Sequence, residues 1–161
     1  MPENACGLSV PYGMLSSYTK REEHIMYHPN EDVQDFIDLA LDNNRKLTSP
    51  DTVEILQALE NLVIRDEVLC LALGDTDEAF HLGQFIQEYA VDAPSGYRAN
   101  PAIMSSIINY VHNERGRAEL FYNLALLDDE SNKLAFLFGK IVEVGVPPTV
   151  VRELIAKAVE G

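Results

Sequence analysis

The stretch "NLVIRDEVLCLAL" (Asn61–Leu73) is nearly all apolar, yet Arg65, Asp66 and Glu67 occupy its middle. On a helix, Asp66 lies three or four residues from Leu62, Val63, Leu69 and Cys70, and therefore on the apolar face. Arg65 and Glu67 are expected to point elsewhere, because neighbouring residues on a helix diverge. A carboxylate on an apolar face must be paired or hydrogen-bonded. Such a group can serve as a general base or a binding residue. The plainer expectation is a fold-specifying contact, held by backbone N–H groups at a neighbouring helix start or by an arginine across the core.

Other residues with chemical potential are weaker. His24 and His28 are four apart in "EEHIMYH", a spacing that on a helix suits two metal ligands, with Glu22 and Glu23 alongside. The order is not HExxH and no third ligand is evident, so a polar face is expected. His81 and His112 are isolated. "DTDE" (Asp75–Glu78) and "DDE" (Asp128–Glu130) lack the alternating acids, glycine and terminal Glu of a calcium loop, and read as caps and turns. Ser16, Ser17, Ser105 and Ser106 have no GxSxG elbow. No glycine-rich phosphate loop follows a strand. Cys6 and Cys70 belong to no CxxC, and Cys70 reads as a small core residue; a Cys6–Cys70 disulfide is compatible with the sequence but unneeded. No catalytic residue, cofactor or metal is assigned.

The elements that must position these residues are helical. Residues 1–29 form an irregular arm, broken by Pro2, Gly7, Pro11, Gly13 and Pro29. Asn30 is expected to cap a helix carrying Val33, Phe36, Ile37, Ala40 and Leu41 at 3–4 spacing. Thr48 or Ser49 then caps, Pro50 takes the first helical position, and one helix is expected to run to Gly74. Its apolar face holds Ile55, Leu56, Leu59, Leu62, Val63, Leu69, Cys70 and Leu73. "DTDE" opens a helix through Phe80, Phe85, Ile86 and Tyr89. After the loop "DAPSGYRANP", Asn100 is expected to cap and Pro101 to open the next. Helices follow through Ala118–Leu126 and Leu134–Val142, the latter stopped by Gly145, and Thr149–Val159 form the last. Short connections predict antiparallel pairs. The fold class is all-α: a bundle of seven or eight helices over residues 30–161, with the arm at 1–29. Ala118, Tyr122 and Ala125 have the spacing of a tetratricopeptide helix, but Glu130 replaces the expected proline and no second copy follows.

Composition narrows the function classes. A chain of 161 residues with 47% apolar residues can build its own core. No apolar run reaches the ~18 residues of a membrane helix, and "MPENACGLSVPYGML" has no basic start followed by an apolar stretch to suggest an export signal, so a cytoplasmic protein without membrane contact is expected. The net charge of −14 is uneven: residues 1–91 hold 17 acids and 5 bases, residues 92–161 hold 9 and 7. Such a chain repels phosphate backbones, which disfavours direct nucleic-acid binding and suits a basic protein partner.

From Lys46 to Glu153 the order of features resembles the helical C-terminal part of an uncharacterised actinobacterial domain of unknown function, also carried by actinophages. The residues that carry the resemblance are the L-T-led helix with an Arg-Asp pair in "KLTSPDTVEILQALENLVIRDEVL", then "APSGYRANP", then "GRAELFYNLALLDDESNKLAFLF", and the Gly-x-Pro-Pro ending "GVPPTVVR". Full-length members resemble an α/β half followed by this helical half. Here that first half and the family's tryptophans are missing. The resemblance implies a fold and no activity, and it would suit a phage-encoded or accessory version.

The expected function is a non-enzymatic acidic helical module that binds a host protein. Arg65 and Asp66, with Tyr12, Tyr18 and Tyr27 of the arm, are its interaction or structural polar residues. Exposed aromatic residues favour interfaces. A homodimer through the arm or the last helix remains open. The alternatives are an acidic DNA mimic that inhibits a nucleic-acid-binding protein, and an enzyme or metal-binding protein using Asp66 or His24/His28.

Overall fold

The computed structural model describes residues 29–42 and 44–160. Among these residues it contains eight α-helices and one short 3-10 turn, without strands. The chain is all-α, as the periodicity predicts.

Helix α1 (Pro29–Leu41) begins on Pro29, so Asn30 lies inside its first turn and is not its cap. The missing N–H of proline costs nothing at a helix start. Val33, Phe36, Leu39 and Ala40 turn inward. Helix α2 (Pro50–Gln57) is capped by the Ser49 hydroxyl, which accepts from Thr52 N–H, and Pro50 stands at its opening.

The single helix expected from Pro50 to Gly74 is broken. After α2 the chain tightens into a 3-10 turn (Ala58–Glu60), and Asn61 adopts an extended conformation. The Asn61 side-chain oxygen then accepts from Val63 N–H at 3.0 Å and Ile64 N–H at 3.2 Å, capping a new helix, α3 (Leu62–Ala72). The break reorients the second segment. Ile64, Val68 and Leu69 are fully buried, whereas Val63, expected on the inner face, is largely exposed. An asparagine offers its backbone a local alternative to the helix, and here a cap gains more than continuation would.

Helix α4 (Asp77–Asp92) is capped by Thr76, whose hydroxyl accepts from Ala79 N–H, with Asp77 and Glu78 favourably placed in the first turn. Phe85 of α4 meets Phe36 of α1 edge to face, with centroids 5.4 Å apart. Each such buried ring contributes about 1.5–3 kcal/mol.

Helix α5 (Ala99–Val111) is the central pillar: all 13 of its residues are buried. A helix enclosed on every side belongs in the middle of a domain. After a short turn, α6 (Arg115–Asp128) runs back along it. The antiparallel sense is fixed by Asp128, at the end of α6. Its carboxylate accepts from the backbone N–H groups of Gly96, Arg98 and Ala99 at the start of α5, at 2.7, 2.9 and 2.9 Å. Thus "DDE" is cap chemistry, as expected, although the helix it caps is a distant one.

Helix α7 (Lys133–Val144) is capped by Asn132 and ends at Gly145, whose φ of +84° is the left-handed conformation that favours glycine. Phe138 of α7 packs edge-on to Tyr110 of α5, and the Tyr110 hydroxyl donates to Val146 C=O at 2.6 Å. Helix α8 (Pro148–Glu160) returns to lay Val151 and Ile155 into the core, against α3 and α5. No helix among the described residues is long and apolar enough to cross a membrane.

Candidate functional site

Arg65 and Asp66 lie together in the core. Asp66 is wholly buried and Arg65 is 3% exposed. Arg65 Nε donates to Asp66 Oδ1 at 2.7 Å, and Nη2 lies 2.6 Å from the same oxygen. Asp66 does pair with an arginine, but with its neighbour in sequence and not with one across the core. The expectation that Arg65 points away fails because a guanidinium on a long stem can fold back over the adjacent residue when burial rewards it.

The pair belongs to a larger polar knot. Arg65 Nη1 reaches Asn100 Oδ1 at 3.4 Å, and Asn132 Nδ2 donates to the same oxygen at 3.2 Å. Asn100 Nδ2 donates to Glu60 Oε2 at 2.8 Å. Asn132 Oδ1 caps α7 through Ala135 N–H. Asn100 is therefore no helix cap: α5 begins one residue earlier, at Ala99, and Asn100 turns inward to tie the 3-10 turn, α3, α5 and the start of α7 together. Tyr89 of α4 adjoins this region. Burial first, then the Glu60 carboxylate, then Tyr97, push its hydroxyl well above the ordinary tyrosine range.

Chemically the knot is closed. Its cation faces anions, and its amides bridge them. Asp66 Oδ2 is a buried oxygen without a hydrogen-bond donor, a cost that the adjacent guanidinium offsets electrostatically. None of these residues lines either of the two cavities described next.

The larger cavity is an open groove of about 600 Å³ between α4, the end of α5 and the start of α6. Phe80, Gln84, Gln87, Glu88 and Val91 form one stripe along α4 at helical spacing, and His112, Glu114 and Arg117 face them. Phe80 and Val91 are each 59% exposed. His81 stacks edge-on against Phe80. Gln87 accepts from Asn109 at 3.0 Å, and Glu88 pairs with Arg45 at 2.9 Å. The Arg117, Glu114 and Gln84 side chains engage no other described residue through a hydrogen bond or ion pair. A smaller aromatic pocket opens between α5, α6 and α7.

The remaining sequence candidates are scattered. Tyr12, Tyr18, Tyr27, His24, His28 and Cys6 lie outside the described residues. Cys70 is half-buried on α3. Ser105 and Ser106 donate to the carbonyls of Pro101 and Ala118. Among the described residues no group of three His, Cys, Asp or Glu could hold a metal ion.

A family model for a domain of unknown function, DUF4192, matches residues 15–149. The chain belongs to the DUF4192 family. The DUF4192 match begins well before Lys46, where the resemblance in the sequence starts, and takes in α1 as well as every helix through α7. Both the knot and the groove lie inside it. No curated protein and no solved structure matches the chain.

Proposed function

We propose that this DUF4192 chain is a non-enzymatic protein-interaction module that receives a basic, amphipathic segment of a partner protein in the groove between α4, α5 and α6. The observation that carries this reading is the stripe on α4, where Phe80 and Val91 stand exposed beside polar side chains that have few partners of their own. Exposed aromatic side chains in a concave patch are the usual anchors of an interface. Glu88 and Glu114 on the groove wall, and a net charge of −14, complement a basic segment. In contrast, the buried acid–base cluster around Asp66 is enclosed and serves the fold.

The test is capture from an actinobacterial lysate with the whole chain as bait, in the presence of nuclease, beside the Phe80→Asp variant. The reading expects a protein held by the wild type, lost with Phe80→Asp, and cross-linked to α4 or the start of α6. Retention by both baits would overturn it. Release of the captured protein by duplex DNA would replace it with the DNA-mimic reading, in which acids and not Phe80 carry the contact.

A further inference from the structure

The pocket between α5, α6 and α7 is independent of the groove. It encloses about 330 Å³, at the lower end of the roughly 300–1,000 Å³ typical of small-molecule sites. Its walls are the rings of Tyr110, Tyr122 and Phe138. Two of these are fixed: Tyr110 stacks edge-on to Phe138 and is anchored by its hydroxyl on Val146. The third depends on a glycine. The Tyr122 hydroxyl lies against Gly139, and any Cβ at that position would collide with it. Gly139 thus lets Tyr122 lie back against α7, which keeps the space between the rings open.

Arg115, at the mouth, hydrogen-bonds to no other described residue. The Arg115 guanidinium sits 5.2 Å over the Tyr110 ring and has no carboxylate partner among the described residues. Glu119, one turn further along α6, also lines the pocket but forms no ion pair with it. The Tyr122 hydroxyl hydrogen-bonds to no other described residue.

We propose that this pocket binds a small apolar monocarboxylate, with its carboxylate on Arg115 and its apolar body between Tyr110, Tyr122 and Phe138. The planar guanidinium matches a carboxylate through two parallel hydrogen bonds. The three rings supply the apolar contact, and the Tyr122 hydroxyl offers a further donor. Glu119 at the same mouth repels a second negative charge, so a monoanion is preferred to a dicarboxylate.

The experiment titrates the whole chain with phenylacetate and, separately, with its uncharged isostere phenylacetamide, read by backbone amide NMR shifts and calorimetry. Saturable shifts around Tyr110, Arg115, Tyr122 and Gly139 are expected, with phenylacetate bound about tenfold more tightly than the amide. Arg115→Gln, a change at an exposed position, should abolish that preference and leave the amide's affinity unchanged. Gly139→Ala should weaken both probes, because the displaced Tyr122 ring occupies the space. Far-UV circular dichroism verifies that both variants are folded. The proposal is overturned if neither probe gives saturable shifts at its solubility limit, if acid and amide bind equally, or if the preference survives Arg115→Gln.

Discussion

The two ends of α5 carry polar groups in opposite circumstances. At its start, Asn100 is buried and every amide atom is engaged, by Arg65, Asn132 and Glu60. At its end, His112 is exposed and, with Glu114 and Arg117, faces α4 across an open groove. The first arrangement uses polar chemistry to decide how helices meet. The second leaves it available to something outside the chain. Charge and residue type do not distinguish them, since both ends hold an arginine and a glutamate. Enclosure does.

The sharpest way to break this contrast is at Asp66. Asp66→Ala strands a buried guanidinium and should cost about 3–5 kcal/mol, read by urea unfolding. Replacing the pair together, as Arg65→Met with Asp66→Leu, should recover most of that loss, because an apolar pair of similar volume needs no partner. Asp66→Ala that melts like the wild type would mean that the knot is not closed. Asp128→Ala comes next. It removes the acceptor of three backbone N–H groups at the start of α5 and should cost about 1–2 kcal/mol by the same measurement.

Tyr89 sharpens the contrast through pH. Below about pH 10 its hydroxyl is neutral in folded and unfolded chains alike, so its contribution is intact. Above that value the unfolded chain gives up the proton while the folded chain retains it, and stability falls as pH rises. Tyr89→Phe should therefore flatten the alkaline limb of the stability curve, measured by denaturant unfolding between neutral pH and pH values above 10. The smallest effect belongs to the groove. Phe80→Ser should change stability by less than about 0.5 kcal/mol, because its ring is mostly in water. A large loss would show that Phe80 supports the fold and would remove it from any interface.

Much of the fold is legible in the sequence. The 3–4 spacing of apolar residues placed the helices, and Ser49, "DTDE" and Gly145 marked three of their ends correctly. Three features depart from the local sequence pattern for one common reason: each depends on what another part of the chain offers. Asn61 sits in a run of apolar residues with no proline or glycine to announce a break. Asn100 precedes a proline, the local signature of a cap, yet Glu60 and Asn132 draw it inward. Arg65 is adjacent to Asp66, and helical geometry alone separates them; only burial brings the long side chain back. The groove and the pocket were not legible at all. Their walls come from three helices each, and no local pattern says that Phe80 will face Arg117, or that Gly139 will make room for Tyr122.

The cap that Asp128 places on α5 has a consequence for the order of events during synthesis. The N–H groups it receives precede it by 29 to 32 residues. At ribosomal speeds of about 5–20 residues per second, the first turn of α5 leaves the peptidyl centre roughly 1.5–6 seconds before its acceptor exists. During that interval the most deeply enclosed helix of the molecule begins with open backbone donors and no α6 to cover it. A chain cut off just before residue 128 would keep most of α6 over its central helix but leave the first turn of that helix uncapped.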